Sequence, residues 1–180
     1  MPMKWNKQNK EVFYPKQHEF LGIAKNDIDY LAKLAQQNSR NRARYCTHSS
    51  VDDAVHEMII YHEKGTYIRP HKHISKTESF HLVEGEAEVL IFDEEGNLTH
   101  FKELGEYECG KCFYYRIPES CFHAQIFRQN TVFHESTKGP FTINETIYPD
   151  WAPEEHENGL VKEYMKKINF QKKHLLIENG

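Results

Sequence analysis

The stretch GTYIRPHKHISKTESFHLVEG, from Gly65 to Gly85, carries the densest chemistry in the chain. His71 and His73 stand two residues apart, and in a strand such residues share a face. The segment between His73 and Glu78 is long enough to turn the chain and begin another strand. An antiparallel neighbour then brings Glu78 beside the two imidazoles. Two neutral histidines and a carboxylate suit a divalent transition metal. Taken singly, each histidine reads equally well as a solvated or hydrogen-bonded side chain, and from pattern alone a chance grouping stays open.

Outward from this stretch the chain reads as strands. AVHEMIIYHE precedes it, closed by Lys64-Gly65. After it come the Glu84-Gly85 turn, the Asp93-Glu94-Glu95-Gly96 hairpin turn, NLTHFKEL, KCFYYRIP, CFHAQIF and TVFHES. Six or more short strands with glycine-bearing turns predict an all-β sandwich or barrel. Upstream, Ile28, Leu31, Leu34 and Ala35 are spaced for one face of a helix, with Asn26 or Asp27 as its cap. That helix is expected to end in the basic stretch Arg40, Arg42, Arg44, a solvated end favoured by the helix dipole. Residues 1–25 lack periodicity and read as a polar, extended arm. PDWAPEE (149–155) breaks the strand pattern, and Leu160, Val161, Tyr164, Met165 and Ile168 mark one face of a final helix. The expected division is an arm and helix over 1–48, a barrel over 49–155 and a helical extension over 156–180.

Composition bounds the function. At 180 residues the chain holds about one domain with a sizeable core. Aromatics at 13% argue against disorder, and a net charge of −4 disfavours general nucleic-acid binding. No apolar run is long enough to span a bilayer, and residues 1–20 lack the apolar region of a secretory signal. A cytoplasmic location, with no membrane partner, is therefore expected. The four cysteines are read as reduced thiols. Cys109-Gly110-Lys111-Cys112 raises a redox pair, or with Cys121 and His123 a zinc site. The aromatic stretch after it reads as a strand rather than the helix a thioredoxin-like pair needs.

The Gly65–Gly85 segment matches the first cupin motif, G-x5-H-x-H-x4-E-x6-G, at every fixed position. The second motif is looser: Pro118, Ser120 and His123 align, but Ser120 replaces a glycine, Phe127 replaces an asparagine, and Gly110 lies two residues too far from Pro118. His123 is thereby the fourth expected ligand. More specifically, the chain resembles the WbuC-type cupin fold metalloproteins from about Arg40 to Glu155. The resemblance is carried by the basic stretch ending at His48, YIRPHKH with KTE, FHESTKGPF and DWAPEE. It implies a cupin barrel, a double-stranded β-helix or jelly roll, with one divalent metal (Fe, Zn, Mn or Ni) on His71, His73, Glu78 and His123. It also implies association with surface-polysaccharide or nucleotide-sugar biosynthesis.

Strand parity extends the site. If His71 and His73 face inward, Tyr67 and Arg69 follow, and Gln125 follows His123. Arg69 inside a barrel needs an anion, either Glu135 or a ligand carboxylate or phosphate. Lys138 and Glu135 lie in the FHESTKGPF segment, where a solvated ion pair is the competing reading. These five residues are the expected substrate contacts, and plain packing competes for Tyr67. The expected function is a metal-dependent enzyme, isomerase- or epimerase-like, on a small anionic or sugar-like metabolite. An Fe(II)-dependent dioxygenase and a non-catalytic metal-bearing module are the alternatives. A homodimer is expected, because open sheets leave edge strands to cover.

Overall fold

The computed structural model describes residues 5–16 and 20–178. The portions of the expected arm at 1–4 and 17–19, and the last two residues of the C-terminal extension, lie outside these. In chain order the elements are β1 (Trp5–Lys7), β2 (Val12–Pro15), α1 (Lys25–Gln36), β3 (Arg42–Cys46), β4 (Val55–His62), β5 (Lys72–His73) and β6 (Glu78–Glu84). They continue with β7 (Glu86–Phe92), β8 (Leu98–Gly105), β9 (Tyr114–Ile117), β10 (Phe122–Phe127), β11 (Thr131–Lys138), β12 (Thr146–Ile147) and α2 (Asn158–Glu178).

The strands form a large sheet ordered β1-β2-β3-β4-β11-β6-β9, a three-stranded sheet β10-β7-β8 and the short pair β12-β5. Bridges between His71 and His123, and between Tyr67 and Ile126, lay the β5 segment along β10. The pair β12-β5 therefore extends the smaller sheet, and two layers face one another as in a cupin-type jelly roll. Alternation along each strand sends one set of side chains between the layers. That core holds Met58, Ile60, Phe80, Leu82, Val89, Leu104, Tyr115, Phe127 and Phe133.

Each helix covers the outer face of one layer. Leu31 and Ala35 of α1 pack on Ala43, Tyr45, Tyr61 and Val132 of the large sheet. Tyr164 and Ile168 of α2 pack on Leu90, Phe92, Phe122 and Ile126 of the small one. Burying an apolar stripe this way contributes roughly 25 cal/mol per Å². Leu160, expected on the same stripe, is instead exposed.

Three local expectations are corrected. The arm is a β-hairpin: β1 pairs antiparallel with β2, and β2 pairs parallel with β3. Trp5 stacks on Tyr45 with ring centroids 3.9 Å apart, and Phe13 is buried. Two aromatic anchors thus dock a segment whose composition is otherwise polar. The α1 cap is Ala24 rather than Asn26 or Asp27. Asp27 sits at the third helical position, and its Oδ2 accepts the Ala24 N–H at 2.9 Å. Arg42 and Arg44 belong to β3, not to the helix end. Ala43 and Tyr45 are buried under α1, so parity turns Arg42, Arg44 and Cys46 toward the barrel interior.

Candidate metal centre and its cavity

Ligand atoms of His71, His73, Glu78 and His123 all lie within 4.8 Å of one another. Each residue is set by a different device. His73 is in β5 and Glu78 opens β6, joined by the short 74–77 turn. His71 N–H donates to the His123 carbonyl at 3.0 Å, and His123 N–H returns the bond to His71 at 2.9 Å. A ladder pair therefore holds two of the imidazoles side by side.

The ring orientations follow from their outer nitrogens. His71 Nδ1 lies 2.9 Å from the Arg69 carbonyl, and His123 Nδ1 lies 2.9 Å from the Cys121 carbonyl. A carbonyl only accepts, so both Nδ1 atoms carry the proton and both Nε2 atoms present a lone pair. His73 Nδ1 lies 3.1 Å from Thr146 Oγ1, which is placed to act likewise. Such outer contacts are how metal-ligating histidines are oriented. Among the described residues, the buried His123 Nε2 and Glu78 Oε1 have no hydrogen-bond partner. Leaving such atoms unpaired is costly unless an ion completes them, so the residues present fit a divalent cation.

The charges of the cluster act strongly on one another. Burial alone would raise the Glu78 carboxyl, but His123, His73 and His71 outweigh it and hold the group well below the usual carboxylate range. Burial, then the neighbouring His123, drives His71 down to about 3, keeping it neutral. For His123 burial acts downward, yet the Glu78 carboxylate wins and raises it. Three histidines and a carboxylate would hold a divalent first-row ion, which would supply Lewis-acid chemistry to an oxygen donor in the cavity. Among the described residues this is the grouping suited to a metal. The Cys109, Cys112, Cys121 and His123 reading does not hold, because Cys109 is exposed and Cys112 Sγ turns to the Tyr114 carbonyl.

The second cupin motif's glycine position is informative. Ser120 has φ of 60°, the left-handed conformation glycine adopts freely. Its N–H donates to the His73 carbonyl at 2.6 Å. The loop therefore keeps the turn that delivers His123, with serine bearing the strain.

The cluster opens onto a cavity of about 550 Å³ between the layers. Its apolar wall includes Met58, Ile60, Phe127 and Phe133; its polar groups include Arg44, His62, Gln125 and Glu135. Gln125 Nε2 donates to the Tyr115 hydroxyl at 2.8 Å. Burial raises the Glu135 carboxyl to about 8, with the Glu78 charge adding and Arg44 opposing. His62 stacks on Phe127 at 4.4 Å and is driven down to about 3 by burial, then by Arg44. A larger, more open groove between the 149–157 segment and α2 lies outside the barrel and does not reach the cluster.

The expected substrate contacts separate. Gln125 and Glu135 line the cavity with the cluster. Arg69 lies at its edge, but its Nη2 donates to the Pro149 carbonyl at 3.1 Å and its Nη1 is 3.5 Å from Glu154. Its partner is thus Glu154 rather than Glu135. Tyr67 points outward: its hydroxyl donates to the Pro153 carbonyl, and its ring meets Tyr164 of α2. Parity fails here because the pairing with β10 slips by one residue between Tyr67 and His71, so that Ile68 packs on the inner core instead. Lys138 is exposed at the end of β11, and Thr137 takes its place on the cavity wall. Sequence reading missed Arg44, His62 and Thr146. Alternation of Arg42, Arg44 and Cys46 was the available signal for the first.

Fold and site together define a cupin-type barrel that carries a four-residue cluster able to hold a metal ion. A family model described as a domain of unknown function (DUF6016) matches residues 23–104. Protein SO0799 from Shewanella oneidensis has a similar fold, with a TM-score of 0.51 at 14% identity over 67% of this chain and 82% of that one. Oxalate decarboxylase from Bacillus subtilis matches with a TM-score of 0.44 at 21% identity, over 54% of this chain and 24% of that one. The Lactobacillus farciminis oxalate decarboxylase formate complex gives 0.42 at 18%, over 54% and 28%. This chain thus spans about a quarter of the length of the decarboxylases it matches. No curated protein matches its sequence. No helix among the described residues is long and apolar enough to cross a membrane.

Proposed function

We propose that this protein is a metal-dependent enzyme acting on a small polar metabolite by proton transfer next to a carbonyl, in the manner of an isomerase or epimerase. The carrying observation is the four-ligand cluster, with its Nε2 atoms presented inward, at the wall of a 550 Å³ cavity. That volume suits a monosaccharide-sized molecule. The link to surface-polysaccharide biosynthesis rests on the resemblance to WbuC-type proteins alone.

His71, His73, Glu78 and His123 would hold the ion. When bound, a divalent ion polarises a carbonyl or hydroxyl oxygen and acidifies the adjacent C–H. Glu135, whose carboxyl burial raises to about 8, delivers its proton to the substrate's carbonyl oxygen. The carboxylate left behind takes the adjacent C–H proton, which gives the enol and regenerates the carboxyl, and the reverse transfer to carbon completes the isomerisation. Gln125, fixed by Tyr115, presents its amide oxygen as an acceptor for a substrate hydroxyl. Phe127, Phe133 and Ile60 exclude water, which strengthens every polar contact inside.

A nuclear magnetic resonance screen in D2O with sugars, sugar acids and keto acids tests this reading. Metal-loaded protein should exchange a carbon-bound proton for deuterium, and Glu135→Gln should slow exchange at least 100-fold while keeping its metal. Exchange unaffected by Glu135→Gln would contradict the assignment. Oxygen uptake with Fe(II) and no exchange would instead favour a dioxygenase.

A further inference from the structure

Three arginines of the basic stretch reach the cavity, and two are already neutralised. Arg40 pairs with Glu155 at 2.7 Å and with Glu11 at 3.1 Å. Arg42 pairs with Glu155 at 3.2 Å and with Glu11 at 3.3 Å. Arg69, at the cavity edge, has Glu154 and the Pro149 carbonyl. Arg44 differs. Among the described residues no carboxylate oxygen comes within 4.0 Å of its guanidinium, and its contact is with Met58 Sδ, a weak acceptor, at 3.7 Å.

The strand geometry aims Arg44 inward. It stands opposite Ile60 of β4, which stands opposite Phe133 of β11; Met58 stands opposite Glu135. All of these line the cavity that the metal cluster opens onto. A half-buried guanidinium with five donors and no anion is expensive in a partly apolar chamber. Its charge already acts on neighbouring groups, drawing Glu135 down and opposing protonation of His62.

We propose that Arg44 is the anion-binding residue of the cavity. It would grip the oxyanion head, carboxylate or phosphate, of a small ligand whose other end reaches the open side of the metal cluster. A planar fork of donors matches two oxygens of such a head, and burial amplifies the attraction. The substrate class becomes a small bifunctional acid, such as a sugar acid or sugar phosphate, with Glu135 on the same wall. This inference rests on the reading of the cavity as a substrate site, but anion capture by Arg44 does not require turnover.

Calorimetry with malonate and with inorganic phosphate tests it on the full chain, once metal-loaded and once after chelation. At least one anion should bind at millimolar concentration or tighter in both forms, and which one binds distinguishes carboxylate from phosphate. Arg44→Gln should weaken that anion at least tenfold with metal content unchanged. Arg44→Lys, which keeps the charge and loses the fork, should fall between. Malonamide, the neutral isostere of malonate, should not bind. Equal affinity in wild type and Arg44→Gln, binding of malonamide as tight as malonate, or binding of neither anion would overturn the proposal. A chain that captures the anion through Arg44 yet holds no metal would keep it, and would defeat the enzymatic reading instead.

Discussion

Thr146 Oγ1 sits 3.1 Å from His73 Nδ1, and the same two residues are register partners in the β5–β12 ladder. The ladder places a hydroxyl where the outer nitrogen of a metal-facing imidazole needs an acceptor. Removing that hydroxyl frees the ring to rotate and to change tautomer. Thr146→Val should therefore weaken metal binding by about tenfold, the lower end for loss of a group that orients a ligand. Competition against a metal-binding dye measures this. Unchanged affinity would mean that the backbone alone orients His73.

His62 supplies a pH-dependent element of stability. Its folded-state pKa is about 3, below the ordinary 6.5, because burial and then Arg44 disfavour the imidazolium. The unfolded chain takes up this proton first as pH falls. The contribution is thus complete above pH 6.5 and is lost progressively from 6.5 toward 3, reaching about 2 kcal/mol at pH 5. His62→Phe keeps the stacking on Phe127 and removes the titration. Denaturant unfolding should show its stability falling less than wild type's between pH 7 and pH 5. Parallel curves would show that His62 does not titrate in this window.

Two turn positions should respond in opposite directions. Ser120 holds φ of 60° without being glycine. Ser120→Gly relieves roughly 1–2 kcal/mol of left-handed strain but loosens the unfolded chain by about 0.4–1. The expected net gain lies between about zero and 1.6 kcal/mol, with each 1 kcal/mol raising Tm by roughly 2–4 °C. Gly85 has φ of 95°, and an added Cβ would lie 2.3 Å from the Asn130 carbonyl oxygen. Gly85→Ala should cost more than about 2 kcal/mol. Thermal melts of both variants check these signs.

Much of this arrangement is legible in the sequence because it follows from local spacing. The i, i+2 histidines, the turn before Glu78 and the glycines at 65 and 85 are short-range features. Alternation and turn residues likewise announce the strands of a two-layered β fold. What sequence reading loses is long-range or irregular. The N-terminal hairpin is polar and is organised by Trp5 on Tyr45, a contact that links β1 to β3 across α1. Tyr67 leaves the site because the pairing with β10 slips by one residue between Tyr67 and His71, which parity ignores. Arg40 and Arg42 meet Glu155 across 113 or more residues, joining the basic stretch to DWAPEE. Within the basic stretch, that closure leaves Arg44 without a carboxylate partner among the described residues.

Elemental analysis of the purified protein tests the metal centre most directly. Wild type should carry close to one equivalent of a divalent first-row metal per chain. The His71→Ala, His73→Ala double variant should carry essentially none while its circular dichroism still reports a folded β protein. Glu78→Gln, which keeps the shape and removes the charge, should lose most of it as well. Full retention of metal in the double variant, or a folded wild type that takes up no divalent metal when it is supplied, would contradict the account.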